Sequence, residues 1–243
     1  MGPFLLYRIT RAVKRLRTVP LAAALALIAC GTLFAVDPLS WLNAARRAVG
    51  VRTVQADALL SVTASQYARQ LASRGILTHR GDDGSSALDR YRSAGGTEVR
   101  VGEILGAGPA EGLIEKAWLA SMEHRELALS ADWTHAGWGS AVSGTSVVMV
   151  MMFTARLVDG LELESGSVAF SARGRFLPTR ARAPVLLNGL DEVAPSSWEP
   201  ASRAFVFEVP RSRLEGYLRL GFRTADGAFT LTNAFTVPLR GER

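Results

Sequence analysis

Between Leu60 and Ala72 the apolar side chains recur at helical spacing. Leu60, Ala64, Tyr67, Ala68, Leu71 and Ala72 form one stripe that would face a core. Gly75 follows where such a helix stops. Trp41, Leu42, Ala45 and Ala48 form a shorter face of the same kind, so helical structure is predicted from Trp41 to about Gly75. Gly81-Asp82-Asp83-Gly84-Ser85-Ser86 has turn composition, and its serines are placed to cap a next helix running through Ala94. Pro109 opens a further helical stretch carrying Leu113, Ile114, Ala117, Trp118 and Met122. After Asp132 the period shortens to two. Gly137 to Val142 and Ser146 to Thr154 read as strands joined around Gly144. Helices followed by paired strands predict an α+β unit of α-β-α type.

The rest of the chain alternates. Val168/Phe170, Phe205/Phe207/Val209, Leu218/Leu220/Phe222, Phe229/Leu231 and Phe235/Val237/Leu239 each place apolar residues on one side, and Asp226-Gly227 supplies a hairpin turn. Short strands at this spacing predict a small all-β, immunoglobulin-like sandwich over 161–243. The boundary is expected near Val158-Asp159-Gly160.

Hydrophobic residues make up 48% of the chain and charged ones 21%, a balance that can bury a core. The net charge of +6 is unevenly placed: Arg8, Arg11, Lys14, Arg15 and Arg17 precede residue 30 with no acid among them. Without them the chain is near neutral, which argues against nucleic acid as a partner. The basic cluster leads into an apolar run from Val19 to Ala29, as in a secretory signal, so 1–29 is expected to be a signal peptide. Leu27-Ile28-Ala29-Cys30 resembles a bacterial lipobox, with Cys30 the lipidated residue and 30–40 a lipidated cysteine and linker. Alternatively Val19 to Val36, which carries no charge, spans the bilayer uncleaved. Both readings put the remainder outside the cytoplasm, tethered to the membrane of a bacterial cell envelope, in the periplasm or at the cell surface. Gly31, where an aspartate would retain some lipoproteins at the inner membrane, points to an outer location. Cys30 is the chain's one cysteine, which excludes internal disulfides and any other thiol site.

Several pieces occur in a fixed order: Leu42-Asn43 with Arg46, Tyr67-Ala68, Gly75 with His79, Asp83-Gly84-Ser85-Ser86, Asp89-Arg90, Ala94-Gly95, Gly102-Glu103, Trp118 with Ser121, His124-Arg125, and Thr134-His135-Ala136-Gly137-Trp138-Gly139. The ordered set resembles the CAP or SCP-like extracellular family, which includes cysteine-rich secretory, antigen 5 and pathogenesis-related group one proteins. The resemblance implies a CAP-type α-β-α sandwich over 41–157 with an open cleft. It places His79, Glu103 and His124 in that cleft, with Ser121 at the approximate position of a second acid. Ile104 stands where the family usually has asparagine, and Glu123 where it usually has glycine before the histidine.

Two imidazoles and a carboxylate make a partial site for a divalent cation such as zinc, although no cofactor follows with certainty from the residues. Such binding needs neutral histidines and would weaken below roughly pH 6.5. The same groups can instead form a hydrogen-bond network that shapes the cleft. Two functions follow. One is a non-catalytic module that binds a lipid, peptide or host component through the His79/Glu103/His124 cleft. The other is a metal-assisted, peptidase-like hydrolase with Glu103 as general base on water held by His79 and His124. The lack of a fourth ligand and of a nucleophile favours binding; Ser85 and Ser86 lack the Gly-x-Ser-x-Gly elbow. His135 is expected at the surface, Tyr67, Trp118 and Trp138 in the core, and Arg125 beside Glu103.

Overall fold

The structure, a computed structural model, describes residues 38–232 and 234–237. The expected signal peptide, Cys30 and most of the linker lie outside those residues. The described residues fall in one compact unit. Among the described residues, no helix is long and apolar enough to cross a membrane.

Helix α1 (Pro38–Ala48) begins inside the stretch expected to be linker. It buries Leu42 and Arg46, whereas Ala48 of the predicted face is exposed. Strand β1 (Gln55–Ala56) leads into α2 (Ala58–Arg74). Asp57 caps α2 by accepting from the Leu60 amide, and Gly75 ends it in the left-handed conformation at φ 66°, which a side chain would resist. Next come α3 (Ala87–Ser93), β2 (Val101–Gly108), α4 (Glu111–Ala120), α5 (Met122–Leu129) and the hairpin of β3 (His135–Ser143) and β4 (Ser146–Thr154). The sequence pattern did not show β2. On α4, Ile114 and Trp118 are buried, but Leu113 and, beyond it, Met122 are exposed.

The first sheet has the order β1-β3-β4-β2, with β1 parallel to β3 and the other pairs antiparallel. Central strand β4 is apolar from Val147 to Phe153 because both its faces are covered. Met149, Met151 and Phe153 pack with Leu42, Ile114, Trp118 and Ala128 of α1, α4 and α5. Val148, Val150 and Met152 pack with Leu60, Ala64, Tyr67 and Leu71 of α2. This is the expected α-β-α arrangement. Helix α2 approaches β3 so closely that a Cβ at Gly137 would sit 2.3 Å from the Ser61 amide nitrogen, and one at Gly139 2.3 Å from Ser65 Cα. Only hydrogen fits at either position.

From Val158 the chain forms a second sheet, order β5-β6-β10-β9: β5 (Val158–Ser165), β6 (Ala169–Phe176), β9 (Ser197–Glu199) and β10 (Ala204–Pro210). A third has the order β12-β11-β7-β8: β7 (Ala183–Asn188), β8 (Asp191–Val193), β11 (Tyr217–Arg223) and β12 (Phe229–Leu231), with β13 (Phe235–Thr236) on the same edge of β11 as β12. Phe170, Phe176, Phe205 and Phe207 from the second sheet share one core with Leu186, Leu218, Leu220 and Phe222 from the third. Asp226-Gly227 turns the hairpin between β11 and β12 as expected. Val168, predicted to pair inward with Phe170, is exposed in the turn before β6.

Candidate functional site

Glu103 points to the α2 and α3 side of the first sheet, since Leu105, two residues on, packs there while Ile104 packs on the other side. Its side chain is only 3% exposed. A buried carboxylate is costly unless paired, and both oxygens are engaged. His79 Nδ1 donates to Oε1 at 2.9 Å, and Arg90 Nη2 donates to Oε2 at 2.5 Å. A carboxylate can only accept, so this contact leaves neutral His79 with its free lone pair on Nε2. The His79 ring is 61% exposed and forms the rim of the site, while Glu103 lies at its floor.

The loop between α2 and α3 is held so that His79 arrives over Glu103. Ser86 caps α3 in a reciprocal capping box with Asp89, and hydrogen bonds from Ser86 hold the Asp89 carboxyl below its ordinary value. Arg90, one residue further, donates through Nη1 to the Ser85 carbonyl at 2.8 Å and the His79 carbonyl at 3.4 Å. Its guanidinium lies 3.5 Å from the centre of the Tyr67 ring. The Tyr67 hydroxyl in turn donates to the Thr78 carbonyl, and burial pushes that phenol up. Tyr67 is therefore both a core residue and the platform for Arg90. Among the described residues nothing accepts from Arg90 Nε, although that atom is buried. Arg90 and Tyr67 also line a groove of about 500 Å³ with Gln66, Gln70, Asp83 and Ser85.

The second expected histidine, His124, is held by Ser121. Ser121 sits between α4 and α5, and its Oγ lies 2.8 Å from His124 Nδ1. Helix α5 packs through Ala128 on the sheet face opposite to the one Glu103 joins. Among the described residues, no three histidine, cysteine, aspartate or glutamate side chains are grouped to hold a metal ion. The contacts seen are His79 and Arg90 at Glu103, and Ser121 at His124. The expected partner of Glu103 also changes. Arg125 donates to the Leu119 carbonyl at 3.2 Å, and Arg90 takes the carboxylate.

His135 is buried, not exposed. It opens β3 opposite Gln55, with the Thr134 hydroxyl 2.9 Å from Nδ1. Burial and then Arg156 lower its pKa. The sequence also gave no role to Arg46, which is fully buried and donates to the carbonyls of Arg52 at 2.7 Å, Ala128 at 2.6 Å and Trp133 at 3.5 Å. It lay within a quoted motif, as did Arg90, but nothing in the residue type marked it as buried.

Residues 39–153 match the cysteine-rich secretory protein family, CAP. The match covers just under half of the chain. The chain is 30% identical over 106 residues to the uncharacterized protein YkwD of Bacillus subtilis, a match covering 42% of this chain and 40% of that protein. The alignment thus spans well under half of that relative. Among solved structures, an outer surface protein of Borrelia burgdorferi aligns at 22% identity and TM-score 0.46, over 49% of this chain and 90% of the other. An extracellular protein containing an SCP domain from Bacillus anthracis aligns at 18% identity and TM-score 0.45, over 49% of this chain and 39% of the other.

Proposed function

We propose that the protein is an extracytoplasmic, membrane-anchored binding module whose CAP cleft takes a peptide ligand without catalysing its breakdown. The observation that carries this reading is the double engagement of Glu103. A carboxylate bound on one oxygen by Arg90 and on the other by His79 is a poor general base and a poor metal ligand. It is well suited to fixing His79 as a rim acceptor and Arg90 as a donor. The adjoining groove has amides and hydroxyls at Gln66, Gln70, Thr63 and Ser85 beside Leu59 and Val62, and Arg90 Nε adds an unclaimed buried donor. That mixture fits a peptide main chain and small side chains better than an acyl tail.

The signal-like sequence before Cys30 supports export and lipid anchoring. An immunoglobulin-like reading of the C-terminal part is supported by its strand order. Taking β5, β6, β7, β9, β10 and β11 as strands A, B, C, D, E and F gives an A-B-E-D sheet facing one in which G (β12 and β13), F and C are neighbours. In this reading the sandwich is a spacer or adhesive partner for the CAP cleft.

The deciding experiment has two parts. Full-length protein, dialysed against zinc and assayed for bound metal, should carry none whose retention depends on His79. One zinc per chain, lost in His79→Ala, would restore the hydrolase. Random-peptide selection on the same protein should yield peptides whose affinity falls at least about tenfold, or 1.4 kcal/mol, in a Gln66→Ala/Gln70→Ala variant. Failure to enrich any peptide would refute the proposed ligand class.

A further inference from the structure

A second concave surface lies where the first sheet hands over to the second. It is a groove of about 360 Å³, separate from the His79 cleft, lined by Arg52, Arg100, Arg156, Arg180, Asp132 and Thr134 among others. The arginines come from distant parts of the chain. Arg52 lies between α1 and β1, Arg100 just before β2, Arg156 between β4 and β5, and Arg180 between β6 and β7. Two of them have carboxylate partners. Arg100 Nη2 bonds Asp132 Oδ2 at 2.7 Å, and Arg156 pairs with buried Asp57. Among the described residues neither Arg52 nor Arg180 is in an ion pair. Asp132 is the one acid in the lining.

Asp57 and Asp132 compensate two of the four arginines, which leaves the lining with an excess of positive charge that an anion would offset. A guanidinium presents a planar fork of donors that matches the oxygens of a phosphate. We propose that this groove binds a phosphate group, as a free polyphosphate or as the phosphodiester of a headgroup or polymer. Arg52 and Arg180 supply the free charge, and Arg100 contributes once Asp132 releases it. The bound phosphate would bridge the CAP domain and the sheets that follow, so binding also ties the two parts together.

The test uses full-length protein in a neutral detergent at low ionic strength. Pyrophosphate and glycerophosphoglycerol are titrated calorimetrically, with thermal unfolding as a second readout. Pyrophosphate is expected to bind, to raise the unfolding temperature and to lose affinity as salt is added. Arg52→Gln/Arg180→Gln should weaken binding at least about tenfold, because both charges are removed without touching the Asp57 or Asp132 pairs. Asp132→Asn should strengthen it by removing the competing carboxylate. Equal affinity for the phosphodiester assigns the site to a headgroup or polymer, and binding of pyrophosphate alone assigns it to free phosphate. Absence of binding by both probes overturns the proposal, as does an affinity that neither the double substitution nor Asp132→Asn changes.

Discussion

Glu98 sets a pH dependence on the fold that can be worked out in advance. Its carboxyl is buried next to the start of the second sheet, where Oε2 accepts from the Leu157 amide at 3.0 Å. Burial pushes its pKa from 4.5 up to about 7. The Leu157 and Val158 amides and Arg156 pull the other way, while Asp57 adds to the rise. The phenol of Tyr91 faces the same group and is itself pushed up, first by burial and then by Glu98. Because the folded pKa is the higher one, the folded state holds this proton more tightly than the unfolded chain does. The stabilisation is complete below pH 4.5 and is lost as pH rises through 7. A gap from 4.5 to about 7 corresponds to about 3 kcal/mol. Glu98→Gln imitates the protonated acid at every pH and keeps an acceptor for the Leu157 amide. The variant should exceed the parent by about 3 kcal/mol at pH 8, but by only about 1 kcal/mol at pH 5.

Urea unfolding of both proteins across this range measures the difference directly. His135 contributes with the opposite sign: its lowered pKa means stability is lost as pH falls below 6.5. That term is present in both proteins and cancels in the comparison. Parallel stability curves for parent and Glu98→Gln would refute the argument, since they would mean that Glu98 ionises in the fold as easily as in water.

Three other substitutions probe separate parts of the molecule. Arg90→Met should cost about 3 to 5 kcal/mol in urea unfolding, because it leaves Glu103 buried with half its compensation gone; a loss under about 1 kcal/mol would show that the pair is not structural. Gly139→Ala should destabilise by more than about 3 kcal/mol, or prevent folding, because the new methyl group meets the α2 backbone rather than a movable side chain; expression at parental stability would contradict the close approach. Cys30→Ser should abolish the mass increment of acylation and release the protein from membranes, whereas an unchanged mass in the two proteins would exclude lipidation.

What the sequence showed follows from which interactions have a period. Helix α2, its Gly75 stop, the Ser86 cap and the β3–β4 hairpin were legible because burial repeats every 3.6 or 2 residues and turns need particular residues. Strand β2 was hidden because Gly102, Gly106 and Gly108 interrupt its apolar pattern. The sites on Gly102 and Gly106 are filled by the rings of Trp133 and Trp118 and the Ile114 side chain, so the packing that makes it a strand comes from α4 and from the segment before β3. Buried charge was the least legible feature. Arg46, Glu98 and His135 are polar by type; Arg46 and Glu98 meet partners from distant segments, and His135 meets the neighbouring Thr134 hydroxyl, contacts that make their burial tolerable.

The same partners separate the two concave surfaces chemically. At Glu103 charge is balanced inside the protein: one acid meets one arginine and one imidazole at hydrogen-bonding distance. A ligand there gains by adding hydrogen bonds to groups already fixed, which favours shape and donor pattern over net charge. At the junction the balance is left open, because Asp57 and Asp132 answer only two of the four arginines. A ligand there gains by bringing charge, and its affinity must fall with salt. Raising the ionic strength should therefore weaken phosphate at the junction while leaving a neutral peptide at the His79 cleft almost unaffected, so one titration series at two salt concentrations tells the sites apart without any substitution.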